Sequence, residues 1–293
     1  MGDTSHTHEC RGHHEHEENC CGHHGEGCGH HHNHEDGCCG HHHGEGCGHH
    51  HHGHEDGCCE HHHQGHEEGC CEHHHQGHEE GCCGKGCGHH HDQIGIFRVG
   101  PLETNCYIYV SGNECMVVDP GASGSEIASQ LHDLNLKYIV ATHGHADHVG
   151  GVKALKLAAG GTYRINQKDA ERARHAAEHD AVYDNAPQPD GFLAEGDTLE
   201  VGTALFHVME TPGHTPGGVC LVGDGTAKGA VFVGDTLFKG SVGRTDLDGG
   251  DSEVLARSLQ RLRCELDPTS LILSGHGEQT EFAQELKENP FLA

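Results

Sequence analysis

The sequence predicts an α/β layered domain over residues 93–293, preceded by a disordered low-complexity tail over residues 1–92. Three observations lead there. Residues 1–92 contain no Val, Ile, Leu, Phe, Tyr or Trp, so they have nothing to bury against an ordering cost of about 1–2 kcal/mol per residue. From Ile94 onward the chain becomes an ordinary mixture, in which short apolar runs alternate with apolar residues at helical spacing. The ligand-type residues of this second part stand where predicted strands end, which places a site along one sheet edge.

The elements follow in order. "FRVGPLETNCYIYV" and "ECMVVD" read as neighbouring strands, the second ending on the turn "DPGASG". "SEIASQLHDLN" repeats apolar residues at helical spacing through Ile127, Leu131 and Leu134, and "LKYIVATH" is a buried strand. "HVGGVKALKLAAGG" and "QKDAERARHAAEHD" are helices. Strands are expected at Ala204–Glu210, Gly218–Val222 and Ala230–Gly234, a helix at Ser252–Leu266, and a last strand at Ser270–Ser274. The apolar runs put Cys106, Cys115, Cys220 and Cys264 inside as buried thiols. His132, His175, His179 and His207 are expected as surface or packing residues, and Asp119 as a structural residue that orients a ligand histidine.

The tail is a repeat. "CCEHHHQGHEEG" runs from Cys58 to Gly69 and again, unchanged, from Cys70 to Gly81. Glycine every few residues opposes both helix and strand. Thirty histidines and fourteen cysteines make reversible metal binding the expected role, with zinc, nickel or copper as the ions such ligands prefer. The bland alternative is a solvated tail with no dedicated role.

Charge narrows the partners. The chain carries −29, of which −16 falls in residues 1–92, where eighteen acids face only Arg11 and Lys85. Phosphate binding needs clustered Lys and Arg, so nucleic acid and anionic membranes are poor partners, and cations are natural ones. The start "MGDTSHTHEC" has no apolar signal segment, and a cytoplasmic location is expected.

The candidate site is "THGHADHVGG", Thr142–Gly151, which places His143, His145, Asp147 and His148 within six residues. Three more ligand types stand alone downstream: His214 in "TPGHTPG", Asp235 in "VFVGDTLF" and His276 in "LILSGHGEQ". Glycine or proline beside each lets the backbone turn a side chain inward. The tail has ligands without a scaffold; this part has both.

The order H-x-H-x-D-H, lone His, lone Asp, lone His resembles the metallo-β-lactamase superfamily, and the resemblance covers Ile94–Ala293. It implies an αββα sandwich and two metal ions. His143, His145 and His214 would hold one ion, Asp147, His148 and His276 the other, and Asp235 would bridge them. Asp147 and Asp235 are the residues it makes catalytic. The expected ions are two zincs, with iron or manganese as alternatives, activating a bridging hydroxide. Asp at position 235 fits thioester and ester hydrolases. "GDTLFKGSVGRTDLDGGD" and the ending "NPFL" resemble a short glyoxalase II-like branch. Longer members have a helical domain after the last ligand, which the seventeen residues after His276 do not supply. Arg244 stands where they have a glutathione-contacting Lys and is the substrate-binding candidate; Asp246 stands where they have a Tyr. The plainer reading makes "GRTD" a turn held by an Arg244–Asp246 pair.

The expected function is therefore a metal-dependent hydrolase of a small acyl thioester or ester. Two alternatives stand beside it. Persulfide dioxygenases share the scaffold and a "GRTD" segment, with one iron held by residues matching His143, His214 and Asp235. The other is a metal-buffering protein whose tail is its main function.

Overall fold

The computed structural model describes residues 92–292. The expectations for the tail, its disorder and its zinc, nickel or copper, lie outside the described residues. The first sheet is built from β1 (Gln93–Val99), β2 (Thr104–Ser111), β3 (Glu114–Val118), β4 (Asn135–Val140), β5 (Thr162–Asn166) and β6 (Gly191–Leu193), in that order across the sheet. Pairing is antiparallel from β1 to β3 and parallel from β3 to β6. Parallel neighbours need crossovers, and these are helical: α1 (Gly124–Gln130), α2 (Ala146–Val149) with α3 (Val152–Ala159), and α4 (Gln167–Arg174) with α5 (Ala176–His179).

The second sheet takes β7 (Thr198–Val201), β8 (Ala204–Glu210), β9 (Val219–Gly225) and β10 (Ala230–Gly234). A small hairpin, β11 (Leu237–Phe238) and β12 (Ser241–Val242), and helix α6 (Ser252–Glu265) precede β13 (Leu271–Ser274), β14 (Thr280–Glu281) and α7 (Phe282–Glu288). The order across this sheet is β14-β13-β10-β9-β8-β7.

Strand alternation divides the apolar residues into three seams. Cys106 and Ile108 of β2 and Cys115 and Val117 of β3 face Ile127 of α1 and Leu155 of α3. The intervening Tyr107, Tyr109, Met116 and Val118 face the other way, onto Phe206, Leu221 and Phe232 of the second sheet. Cys220, Val231 and Val233 then meet Leu255, Leu259 and Leu262 of α6 and Phe282 of α7. Helix, sheet, sheet, helix is the αββα sandwich that the resemblance implies. Burying one such large side chain contributes about 1.5–3 kcal/mol, so the between-sheet seam, with Tyr107 and Phe232 edge-on at 5.2 Å, holds the sheets in register.

Several local expectations need correction. "FRVGPLETNCYIYV" holds two strands, β1 and β2, because the chain turns at Gly100 with φ 68°. α1 stops at Gln130, so Leu131 and Leu134 pack from the following turn. The single helix expected over "QKDAERARHAAEHD" is two, broken where His175 leaves helical geometry at φ −117°, ψ 23°. Cys106, Cys115 and Cys220 are buried, but Cys264 is exposed on the solvent side of α6. Among the described residues no helix is long and apolar enough to cross a membrane.

Candidate metal centre

All seven ligand-type residues leave the ends of four strands. His143 and His145 follow β4, with Asp147 and His148 on the single turn of α2. His214 follows β8, Asp235 follows β10 and His276 follows β13. Cross-sheet hydrogen bonds fix this edge. Val219 N–H donates to the Thr142 carbonyl at 2.9 Å, and the Tyr107 hydroxyl donates to the Ser274 carbonyl at 2.7 Å.

The donor atoms converge in two groups. His145 Nδ1 lies 3.1 Å from His143 Nε2 and 2.9 Å from His214 Nε2. On the other side, Asp147 Oδ2 lies 3.1 Å from His276 Nε2 and 3.4 Å from His148 Nε2. Asp235 stands between them: Oδ1 is 3.4 Å from His148 Nε2, and Oδ2 is 3.5 Å from His214 Nε2 and 3.6 Å from His276 Nε2.

Hydrogen bonds on the outer side decide where the imidazole protons sit. The Thr142 hydroxyl donates to Asp119 Oδ2 at 2.8 Å, so its lone pair faces His143 Nδ1 at 3.1 Å, which must carry the proton. His148 Nδ1 sits 3.0 Å from Asp119 Oδ2. His214 Nδ1 donates to the Arg244 carbonyl at 2.7 Å, and His276 Nδ1 to the Leu102 carbonyl at 3.2 Å. Three imidazoles, those of His143, His214 and His276, thus turn N–H outward and a bare Nε2 inward, the tautomer a ligand needs, while His148 Nδ1 lies against Asp119 at a poor hydrogen-bonding angle. His145 presents Nδ1 instead, and its buried Nε2 has no protein partner. Asp119 performs the orienting role expected of it, and it also accepts the Thr142 N–H at 2.7 Å.

This donor set fits cations. Lone pairs about 3 Å apart repel unless a proton or a cation lies between them, and a tetrahedron with Zn–N bonds of about 2.05 Å has edges of about 3.3 Å. Buried Asp235 Oδ1 and His148 Nε2 likewise lack a hydrogen-bond partner. Three groups of these residues could each hold an ion: His143 with His145 and His214; His143 with His148 and Asp235; and Asp147 with His148 and His276. Electrostatics differ across the centre. Burial, reinforced by the neighbouring histidines, drives His143 well below its usual range, and burial with His214 pushes His145 down to about 3. Burial opposes charge on His148 too, but Asp235, Asp147 and Asp119 overcome it and raise its pKa. Against the same opposition, His148 and His276 hold Asp147 below the usual carboxylate range. The His143–His145 side thus disfavours positive charge, while the ionised Asp147 favours it on the other.

The sequence reading missed the residues that hold this shape. Asp169, on α4, is fully buried and accepts Gly144 N–H at 2.8 Å and Gly217 N–H at 2.7 Å. One carboxylate thereby ties the His143–His145 loop to the His214 loop. Its signal was an acid beside Ala170 and Ala173 on the apolar side of a helix. Thr104 donates to Asp147 Oδ2 at 3.0 Å. Asn105 Nδ2 donates to the Ser274 and Gly277 carbonyls, both at 3.0 Å, which frames His276.

A cavity of about 570 Å³ opens over the donors, walled by Leu102, Tyr183, Phe238, Val242 and Leu247, with Arg244 at its rim. Arg244 Nε and Nη2 donate to the two Asp246 carboxylate oxygens, each at 2.7 Å. The turn-holding pair thus forms, and Arg244 also borders the pocket. His179, expected to be a surface or packing residue, borders it as well.

A four-layer sandwich that brings five histidines and two aspartates together at the strand ends of its two sheets could hold two metal ions. The sequence profile of the metallo-beta-lactamase superfamily matches residues 99–276, and the chain belongs to that superfamily. It is 34% identical over 209 residues to hydroxyacylglutathione hydrolase GloC of Haemophilus influenzae, spanning 68% of this chain and 97% of that one. The structure of BLEG-1, a B3 metallo-beta-lactamase, is 30% identical with a TM-score of 0.63, covering 69% of this chain and 100% of that one. That of TTHA1623 in a di-iron-bound form is 33% identical with a TM-score of 0.61, covering 67% and 99%. ETHE1 from Myxococcus xanthus is 26% identical with a TM-score of 0.56, covering 68% and 83%.

Proposed function

We propose that this protein is a metal-dependent hydrolase of a small acyl thioester or ester. One observation carries the reading: seven donors from four strand ends converge in two groups with Asp235 between them, and His143, His214 and His276 turn their N–H groups away from the centre. When bound, a pair of divalent cations supplies Lewis acidity toward a carbonyl oxygen and makes water acidic enough to be a nucleophile near neutral pH.

The chain's own residues do the rest. His143, His145 and His214 would hold one cation, Asp147, His148 and His276 the other, and Asp235 would serve both. His148 and His276 keep Asp147 ionised, and Thr104 aims it. Asp119 and Asp169 act one layer out by fixing the ligand loops. Leu102, Phe238 and Leu247 offer an apolar wall that orients an acyl chain and sheds water around the reacting carbonyl. Cys106, Cys115 and Cys220 are shut into the cores, away from this pocket. Likeness to GloC, whose name specifies a hydroxyacylglutathione, supports a thioester. Zinc is the ion proposed, and TTHA1623 in its di-iron-bound form makes iron the main competitor.

The test is hydrolysis of lactoyl and acetyl thioesters by purified protein, with the metal content of the same sample measured. Two zincs and turnover are expected. His145→Ala should lower kcat/KM by about a hundredfold or more, the loss of several kcal/mol of charge stabilisation. A single iron with persulfide-dependent oxygen uptake, and no hydrolysis, would instead establish the dioxygenase reading.

A further inference from the structure

One wall of the cavity over the metal centre is not built by the sandwich. Phe238, Ser241 and Val242 line it, and all three belong to the β11–β12 hairpin. The two strands pair only Leu237 with Val242 and Phe238 with Ser241, and so short a hairpin has little stability of its own in water. Its base is anchored, because the buried Leu237 accepts the Ser274 hydroxyl at its carbonyl, at 2.8 Å. Its tip, Lys239 and Gly240, is exposed. The Phe238 ring lies 6.2 Å from the His276 ring, centroid to centroid, at 65°. Where the hairpin sits therefore decides how much room is left beside that ligand.

Helix α7 holds the rest of the hairpin. Glu285 is 2% exposed and Asn289 1%. Glu285 Oε2 accepts the Gly240 N–H at 2.7 Å. Asn289 Nδ2 donates to the Phe238 carbonyl at 3.2 Å and the Ser241 carbonyl at 3.1 Å, the two residues that face the cavity. The pair is joined, Nδ2 to Oε2, at 2.8 Å. Glu285 Oε1 accepts the Thr280 hydroxyl at 2.8 Å, which ties the same carboxylate to β14, the strand after the His276 loop. Every partner of this carboxylate is a neutral donor. A carboxylate buried in this way stabilises a fold no better than a well-packed apolar side chain. What it adds is direction, since hydrogen bonds fix atoms that apolar packing lets slide. Asn289 opens the ending "NPFL", and this is that motif's place in the fold.

We infer that Glu285 and Asn289 are positioning residues: through the β11–β12 hairpin they set the Phe238 wall, and that wall selects substrates with an apolar arm. The arm is defined by its reach to Phe238, whichever side of the reacting carbonyl bears it. Neither residue touches the substrate. Both act through the hairpin, so their loss should cost recognition of the arm and spare the chemistry. This rests on the hydrolase reading for its kinetics, but not for the order of the hairpin or for ligand binding.

Three variants test it. N289A removes both bonds to the hairpin carbonyls, and E285Q keeps the shape of its side chain but replaces one acceptor oxygen with an amide group. L155A, in the core beneath α3, controls for lost stability alone. Hydrogen exchange of peptides spanning residues 237–243 should quicken about tenfold in N289A and E285Q, and not in L155A. With the hexanoyl thioester of N-acetylcysteamine, KM should rise about tenfold in N289A with kcat within about threefold, while both constants for the acetyl thioester stay within about twofold. Calorimetry of the metal-loaded protein should show hexanohydroxamate, which is not a substrate, binding about tenfold more weakly to N289A, and acetohydroxamate unchanged. Should N289A fail to fold, E285Q carries the same tests in the same direction. Unchanged exchange in both α7 variants, equal damage to long and short ligands, or the same chain-length effect in L155A would each overturn the inference. So would a wild type with no preference for the longer hydroxamate. Hydrolysis of neither thioester by the wild type defeats the hydrolase reading, and exchange with calorimetry then decides the role of Glu285 and Asn289 alone.

Discussion

At the scale of single residues, the centre is legible where type and place coincide. His143, His145, Asp147, His148, His214, Asp235 and His276 each combine a ligand atom with a strand end and a flanking turn residue, and the structure brings all seven together. Asp169 shows why the remainder was hidden. Its partners are two backbone N–H groups, 25 and 48 residues away, and no local pattern encodes an acceptor for distant amides. Its role makes a sharp prediction. Asp169→Ala leaves two buried donors without partners, at about 1–3 kcal/mol each. Denaturant unfolding should show that loss, and chelator competition should show metal affinity falling by about tenfold or more, because the two histidine loops lose their common tether. Asp169→Asn keeps an acceptor for one amide only and should fall between.

At the scale of elements, long apolar strands were readable and short edge strands were not. Ala204–Glu210 and Ala230–Gly234 stand where expected, because alternation in the first and an unbroken apolar run in the second, each five or more residues long, leave a pattern. β6, β11 and β12 have two or three residues, too few for any period. The break between α4 and α5 was hidden for another reason: no glycine or proline marks it. His175 sits at the break with Nδ1 2.8 Å from Glu178 and Nε2 3.0 Å from Glu171. Bonds to Glu178 and then Glu171 raise its pKa above 6.5, and His175 in turn lowers Glu178 below 4.5. A raised histidine stabilises fully below its unfolded value and loses that as pH rises through the folded one. A lowered glutamate stabilises above its unfolded value and loses that as pH falls through the folded one. The junction should therefore be tightest from pH 4.5 to 6.5. An NMR titration should place the His175 midpoint above the usual value, and Glu178→Gln should bring it down. A His175 midpoint at or below 6.5 would remove this account of the break.

At the scale of the whole molecule, composition alone separated two materials, and the layers follow from alternation in the second. Asp92, which composition placed at the end of the first, has its Oδ2 accept from the Tyr109 hydroxyl at 2.6 Å, so it serves the sandwich. A chain beginning at Asp92 is expected to fold, bind two ions and hydrolyse thioesters in metal-replete buffer with kcat/KM within about twofold of the full chain, as measured side by side. A truncated chain that folds but has no activity under those conditions would mean that residues 1–91 take part in the reaction. The sequence could not reveal the walls of the pocket, because Leu102, Tyr183 and Leu247 meet only after both sheets and their loops have packed.

The distribution of donors between the two sheets has a mechanical consequence. His143, His145, Asp147 and His148 ride on the first sheet, while His214, Asp235 and His276 ride on the second. Ions seated here act as rivets through both leaves of the sandwich, and sliding one leaf over the other would pull every coordination bond at once. Loading the centre should thus stiffen the aromatic seam from Tyr107 to Phe232 along its length, so that the same atoms which prepare the chemistry also fasten the architecture.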